Sequence, residues 1–162
     1  MLLMETRYLC EPSRAFRVIA LAISACILVA GCGLSPRISQ VDQAILADVR
    51  SIGKVLGEDI VEGFAYGGGV EITNELIIDV GGVDSQDSLN RASDLLAKRD
   101  WVILSQRPNR WVMLKSTTWE GAHININALD SLSAKEFSDK LRKVIVGAND
   151  RDSILIVNVY QT

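Results

Sequence analysis

The chain lacks the usual means for thiol or metal chemistry. Its three cysteines, Cys10, Cys26 and Cys32, all fall within the first 32 residues. Everything beyond them is without a disulfide, a thiol nucleophile or a thiolate metal site. The single histidine, His123, rules out multi-histidine metal sites and leaves no second imidazole for paired chemistry. There is no Gly-x-Ser-x-Gly elbow, so no motif marks a nucleophilic serine. An excess of positive charge is missing as well. The net charge is −3, and residues 1–31 hold Arg7, Arg14 and Arg17 against Glu5 and Glu11, a net of +1, which leaves −4 for the remainder. A mildly acidic domain has no overall attraction for nucleic acid or for anionic headgroups. These absences predict no catalytic residue, no metal ligand, no cofactor and no nucleic-acid partner.

Long apolar runs are absent except at residues 18–30, VIALAISACILVA, thirteen residues without a charge. Arg14 and Arg17 precede the run, and Ala30 and Gly31 close it. This is the charged, apolar, small-residue order of a secretory signal. A membrane-spanning helix, the rival reading, needs about 20 apolar residues, and here Gly31, Gly33, Pro36 and Arg37 interrupt first. The stretch Leu28-Val29-Ala30-Gly31-Cys32 resembles the lipobox of bacterial lipoproteins. The resemblance implies that the Cys32 sulfur is alkylated by a diacylglycerol and that the chain is cut before Cys32. It also implies that Leu28, Val29, Ala30 and Gly31 are the positions a lipoprotein signal peptidase reads. It covers the first 32 residues and carries an address rather than an activity: the bacterial cell envelope, lipid-anchored to a membrane on its extracytoplasmic side. At about 0.8 kcal/mol per buried CH₂, one acyl chain anchors marginally and two anchor stably.

The expected organisation is a removed signal peptide over 1–31, then the acylated cysteine and a short tether over 32–39. A single α+β domain follows over 40–162, long enough to bury a core without staples. Ile38, Val41, Ile45, Val49, Ile52 and Leu56 recur at spacings of three and four, which predicts an amphipathic helix over 40–56, with Gly53 weakening its last turn. Residues 70–80 alternate apolar and polar and predict a long strand, or a hairpin turning at Asn74. Asp84 or Ser85 caps a helix over 85–99. Strands are expected at 101–105, 111–116, 118–129 and 153–160, with Arg107-Pro108-Asn109-Arg110 as a turn. Ser133-Ala-Lys-Glu136 reads as a capping box opening a helix that ends near Gly147. From residue 64 the order is strand, helix, strand, strand, strand, helix, strand. It resembles a ferredoxin-like α/β sandwich with one strand added, an antiparallel sheet with both helices on one face. Strands 101–105, 111–116 and 153–160 carry apolar residues on both sides. Something must then cover the second face, and the helix over 40–56 is the candidate within the chain.

Few side chains stand out as chemistry. Gly67-Gly68-Gly69 precedes a strand rather than a helix, so it reads as a flexible lead-in and not a phosphate cradle. His123, Asn125 and Asn127 alternate along one strand face, a polar row that can line a small site. Arg107 and Arg110 flank the turn, with Trp101 and Trp111 close in the hairpin, a pairing able to hold bases or anions. For each of these the bland alternative is a solvated sheet face or a core tryptophan pair. The expected function is a non-enzymatic binding or assembly module of the envelope, held to the membrane by its lipid and meeting a protein partner there. The alternatives are a small carboxylate-dependent hydrolase of envelope polymers, since Asp and Glu are plentiful, and an immunity or inhibitor lipoprotein that blocks one partner.

Overall fold

The computed structural model describes residues 38–64, 69–132, 137–148 and 151–162. The expected signal peptide, Cys32, Gly67, Gly68 and the Ser133–Glu136 stretch lie outside these residues. Residues 37–162 form one compact unit. Its elements are β1 (Ile38–Ser39), α1 (Gln43–Arg50), β2 (Lys54–Phe64), β3 (Val70–Asp79), α2 (Ser85–Ala97), β4 (Trp101–Arg107), β5 (Trp111–Ser116), β6 (Ala122–Ala128), a 3-10 turn (Leu129–Ser131), α3 (Asp139–Gly147) and β7 (Ile154–Gln161).

Six strands form an antiparallel open sheet in the order β2-β3-β7-β6-β5-β4, and the two-residue β1 runs parallel to the start of β3. The class is α+β, and from β3 onward the elements follow the expected order. The strand order is not the ferredoxin-like one, however. In that layout the last strand lies at the edge outside the first. Here β7 lies between β3 and β6. The added strand β6 accounts for this. The chain directions make β3 and β6 parallel to each other, and placing β7 between them keeps every neighbouring pair antiparallel.

The first helix is shorter than the apolar spacing predicts. Asp42 caps it, its side chain accepting from the Ala44 N–H at 2.8 Å. It ends at Arg50, and Ser51 to Gly53 turn the chain into β2. A Cβ on Gly53 would lie 2.4 Å from the Asp79 carbonyl oxygen, so only glycine lets β2 come in beside β3 there. β2 itself was not expected. Gly57, Gly63, Glu58, Asp59 and Glu62 give it an unfavourable composition, which an edge strand tolerates and which guards the edge against further pairing. Arg50 closes the corner with a forked pair to Glu58, at 2.6 and 3.1 Å.

One sheet face is covered over its centre by α1 and α2, with Ile60 of β2 and Ile103 of β4 left exposed toward its edges. Ile45, Leu46 and Val49 of α1 and Leu89, Ala92 and Leu96 of α2 pack with Leu76, Ile78, Leu114, Ile124, Ile126 and Val157 in one buried cluster. Val41, Ile45, Val49 and Ile52 do pack on the sheet, but beside α2 and not on the opposite face. The second face belongs to α3, which also corrects the expectation that α2 and α3 share a side. Phe137, Leu141 and Ile145 cover Ile77, Ile154 and Ile156 in a separate cluster, a burial that favours folding by about 1.5–3 kcal/mol per large side chain. Gly57 permits the close approach: Val144 and Leu141 methyls stand 3.1 and 3.3 Å from where its Cβ would be. The helix starts at Asp139, capped by Ser138, later in the chain than the 133–136 box suggests. It is nine residues long and covers only the β2, β3 and β7 side of the face.

Candidate functional site

Beyond α3, no helix among the described residues covers a strip of sheet across the middle strands, and cross-strand register defines it. Asp59 stands opposite Glu75, Glu75 opposite Asn158, Asn158 opposite Asn125, and Asn125 opposite Met113. In the next row His123 lies between Tyr160 and Lys115. On the other side Asn127 lies between Ile156, which α3 covers, and Trp111. Alternation along each strand dictates this. Ile124 and Ile126 of β6, and Val157 and Val159 of β7, point into the α1/α2 core, so the polar residues between them face the other way.

One atom of the strip lacks a partner. The Asn125 Oδ1 atom is buried and accepts no hydrogen bond. Glu75 and Asn127 are 7% and 6% exposed. A buried acceptor without a partner costs free energy, and in the strip that cost falls on Asn125 Oδ1. The His123 and Tyr160 rings are stacked, 5.4 Å between centroids and 15° between planes. Burial, reinforced by the negative charge of Glu71, pushes the Tyr160 phenol up from its ordinary value. The phenol therefore stays a neutral donor and acceptor.

The two facing carboxyls differ. The Ser138 hydroxyl, the Ile60 N–H at 3.0 Å and the charge of Lys140 hold Asp59 below the usual aspartate value. Burial, with the Asp59 charge beside it, pushes Glu75 above the usual glutamate value. Charge is graded across the strip: Asp59, Glu71 and Glu75 lie on β2 and β3, while Lys115 and Arg107 lie on β5 and β4. No group of three or more His, Cys, Asp or Glu side chains among the described residues is placed to hold a metal ion.

Of the residues singled out in the sequence, the structure gathers Trp111, His123, Asn125 and Asn127 on this strip, and Arg107 pairs with Trp111 at its edge. Trp101 does not belong. It pairs with Ser116, at the far end of the hairpin from Trp111, and is buried under α1 and α2. Its indole N–H donates to Asp48 Oδ2 at 2.8 Å, and its ring neighbour is Trp119 at 6.1 Å. Arg110 is exposed in the turn, its N–H closing onto the Arg107 carbonyl at 3.0 Å. Asp59, Glu75, Asn158 and Tyr160 escaped notice. Asn158 was the visible signal, a lone amide inside the apolar run of β7.

A second recess, about 250 Å³, lies beside α3 against Leu129, Leu132, Phe137 and Ile145. Its walls are mostly apolar, and Arg142 there is engaged with Asp139 at 3.0 Å and the Phe137 carbonyl at 3.1 Å. The open strip is the better candidate. Compared with protein-family models, with curated proteins and with solved structures, the chain matches none.

Proposed function

We propose that the chain is a lipid-anchored protein of the bacterial envelope and that its domain is a non-enzymatic binding module whose recognition surface is the open strip. One observation carries the reading: a row of half-buried rings and amides, Trp111, His123, Asn125, Asn158 and Tyr160, brought side by side by cross-strand register on a face that α3 covers only in part. Amides and rings left in this state are suited to meeting a ligand from outside. The lipobox supplies the address and Cys32 the anchor.

The experiment has two arms, both on the full chain in cells. The mature N-terminal peptide should carry acyl mass at Cys32 and remain with the membrane fraction, and Cys32→Ser should abolish both. A photo-crosslinking side chain at position 125 should give defined adducts, whereas one at exposed Val146 on α3 should not. An unacylated mature chain sinks the anchor, and the absence of adducts from position 125 sinks the binding surface.

A second reading has one specific observation in its favour. Asp59 and Glu75 are cross-strand neighbours whose surroundings separate their proton affinities, the arrangement by which a carboxylate pair divides base and acid roles. Under that reading the module is a hydrolase of envelope polymers. Turnover of a polymer that stops in both Asp59→Asn and Glu75→Gln would favour it over the binding module.

A further inference from the structure

We propose that β4 is a self-association edge: two copies of the chain join β4 to β4, antiparallel, about a twofold axis at Leu104, and one sheet continues through both. The edge is accessible. β4 ends the sheet and is hydrogen-bonded to β5 alone, so the backbone groups on its outer side have no strand to pair with. Val102, Ile103 and Leu104 are 40, 48 and 46% exposed. Val102 and Ile103 are consecutive in the strand and point to opposite faces of the sheet, so apolar side chains flank the open edge on both faces. Unpaired backbone groups between exposed apolar side chains are a template for another strand.

The opposite edge is guarded by comparison. β2 carries Glu58, Asp59 and Glu62, and a second β2 laid antiparallel on it would set acid against acid. The stretch Trp101 to Arg107 holds no glycine, proline or acid, and its single charge is its last residue. Its one irregularity is the register shift that leaves Leu104 without a partner on β5. Charge selects a second copy as the occupant. Asp100 precedes the strand and Arg107 ends it. Both are exposed, and neither side chain forms an ion pair among the described residues. An antiparallel pair centred on Leu104 sets Arg107 of each copy opposite Trp101 of the other, next to Asp100, so both end charges are met twice. Parallel pairing in register would set Arg107 on Arg107, and centring on Ile103 would set it on Arg99. An isologous contact of this kind closes as a dimer.

The test is sedimentation equilibrium of the full chain in detergent, with disulfide capture in membranes. The wild type should show a concentration-dependent monomer–dimer equilibrium. Arg107→Glu turns attraction into repulsion at two symmetric places and should weaken the dimer about tenfold. Ile103→Lys, a charge on the open edge, should weaken it further. Asp100→Lys combined with Arg107→Glu should recover most of the loss, because the swap restores the pair only if the two residues meet across copies. In oxidised membranes Leu104→Cys should give a dimer of the chain on a non-reducing gel, and exposed Val83→Cys should not. Circular dichroism confirms that the variants fold. A monomeric wild type with no more capture at Leu104→Cys than at Val83→Cys overturns self-pairing. A dimer that Ile103→Lys and Arg107→Glu leave intact uses another surface and overturns it equally, and a charge swap that recovers nothing rules out the antiparallel register. Capture of a different protein at Leu104→Cys, with none of the chain itself, makes a second copy the wrong occupant.

Discussion

Glu75 sets the behaviour of the strip at the scale of one residue. It sits at 7% exposure opposite Asp59, and burial together with that charge raises its pKa. A carboxyl whose pKa is higher folded than unfolded holds its proton more tightly in the native state. Its favourable contribution to folding is complete below the unfolded value and is lost as pH rises through the raised folded value. Glu75→Gln should therefore melt higher than the wild type at pH 8, with the gain shrinking as pH falls toward 4. Melting curves at both ends check this, and an equal gain at both would mean that charge burial is not the cause.

Gly53 is constrained by space instead. Its missing Cβ would lie 2.4 Å from a backbone oxygen of β3 and 2.8 Å from Ile78 Cγ2, and backbone in a paired strand cannot step aside. Gly53→Ala should cost about 1–3 kcal/mol, read by denaturant titration. Residues of β6 were legible in the sequence because alternation alone assigns their faces. Trp101 was not, because its side depends on β4 pairing with β5 and on the Asp48 carboxylate waiting above it.

Asp48 shows the same dependence at the scale of elements. It accepts from the Trp101 indole at 2.8 Å and forms an ion pair with Arg99 Nε at 3.1 Å, so one side chain of α1 ties down the end of α2 and the start of β4. Its side chain is 15% exposed, enough burial for the pair to exceed a surface contact. Asp48→Ala strands the indole N–H and should cost about 1–3 kcal/mol. Asp48→Asn, which keeps an acceptor for Trp101, should recover part of that. Equal losses in the two variants would mean that the indole hydrogen bond contributes little.

The elements were legible where one periodicity dominated: α2, the β4–β5 turn, β6 and β7 all fall where the apolar pattern puts them. The stretch from Ser51 to Phe64 was not. Ile52 and Leu56 continue the helical spacing of α1, yet Val55 packs in the α1/α2 cluster and Leu56 in the α3 cluster. A register shift between Val55 and Gly57 hides the strand's alternation. Tertiary pairing with β3 overrides the local signal there.

At the scale of the whole molecule, the two apolar clusters lie on opposite faces of one sheet and share its strands. β3 gives Leu76 and Ile78 to one and Ile77 to the other; β7 gives Leu155, Val157 and Val159 to one and Ile154 and Ile156 to the other. The sharing was foreshadowed by strands apolar on both sides. What the sequence left open was which helix takes which face, because the amphipathic stripes of α1 and α3 are alike and only the sheet order distinguishes them. Shared strands predict a single transition. Loss of either helix exposes the backs of the strands that the other helix needs, so neither cluster can melt alone.

The tryptophans report on this directly. Trp101 and Trp119 pack on the α1/α2 side, Trp111 lies on the strip, and none of the three belongs to the α3 cluster, so intrinsic fluorescence does not follow α3 packing directly while far-ultraviolet circular dichroism follows the whole. Leu141→Ala, a fully buried truncation in the α3 cluster, should cost about 2–5 kcal/mol and lower both signals' midpoints together, although it touches nothing near Trp101. A chelator or a reductant should leave the transition in place, since no cysteine lies beyond Cys32 and no metal-ligating cluster is present among the described residues. A dichroism loss that precedes the fluorescence change in Leu141→Ala would show α3 melting as a separate unit. In that case the open strip would border a detachable helix rather than a fixed wall.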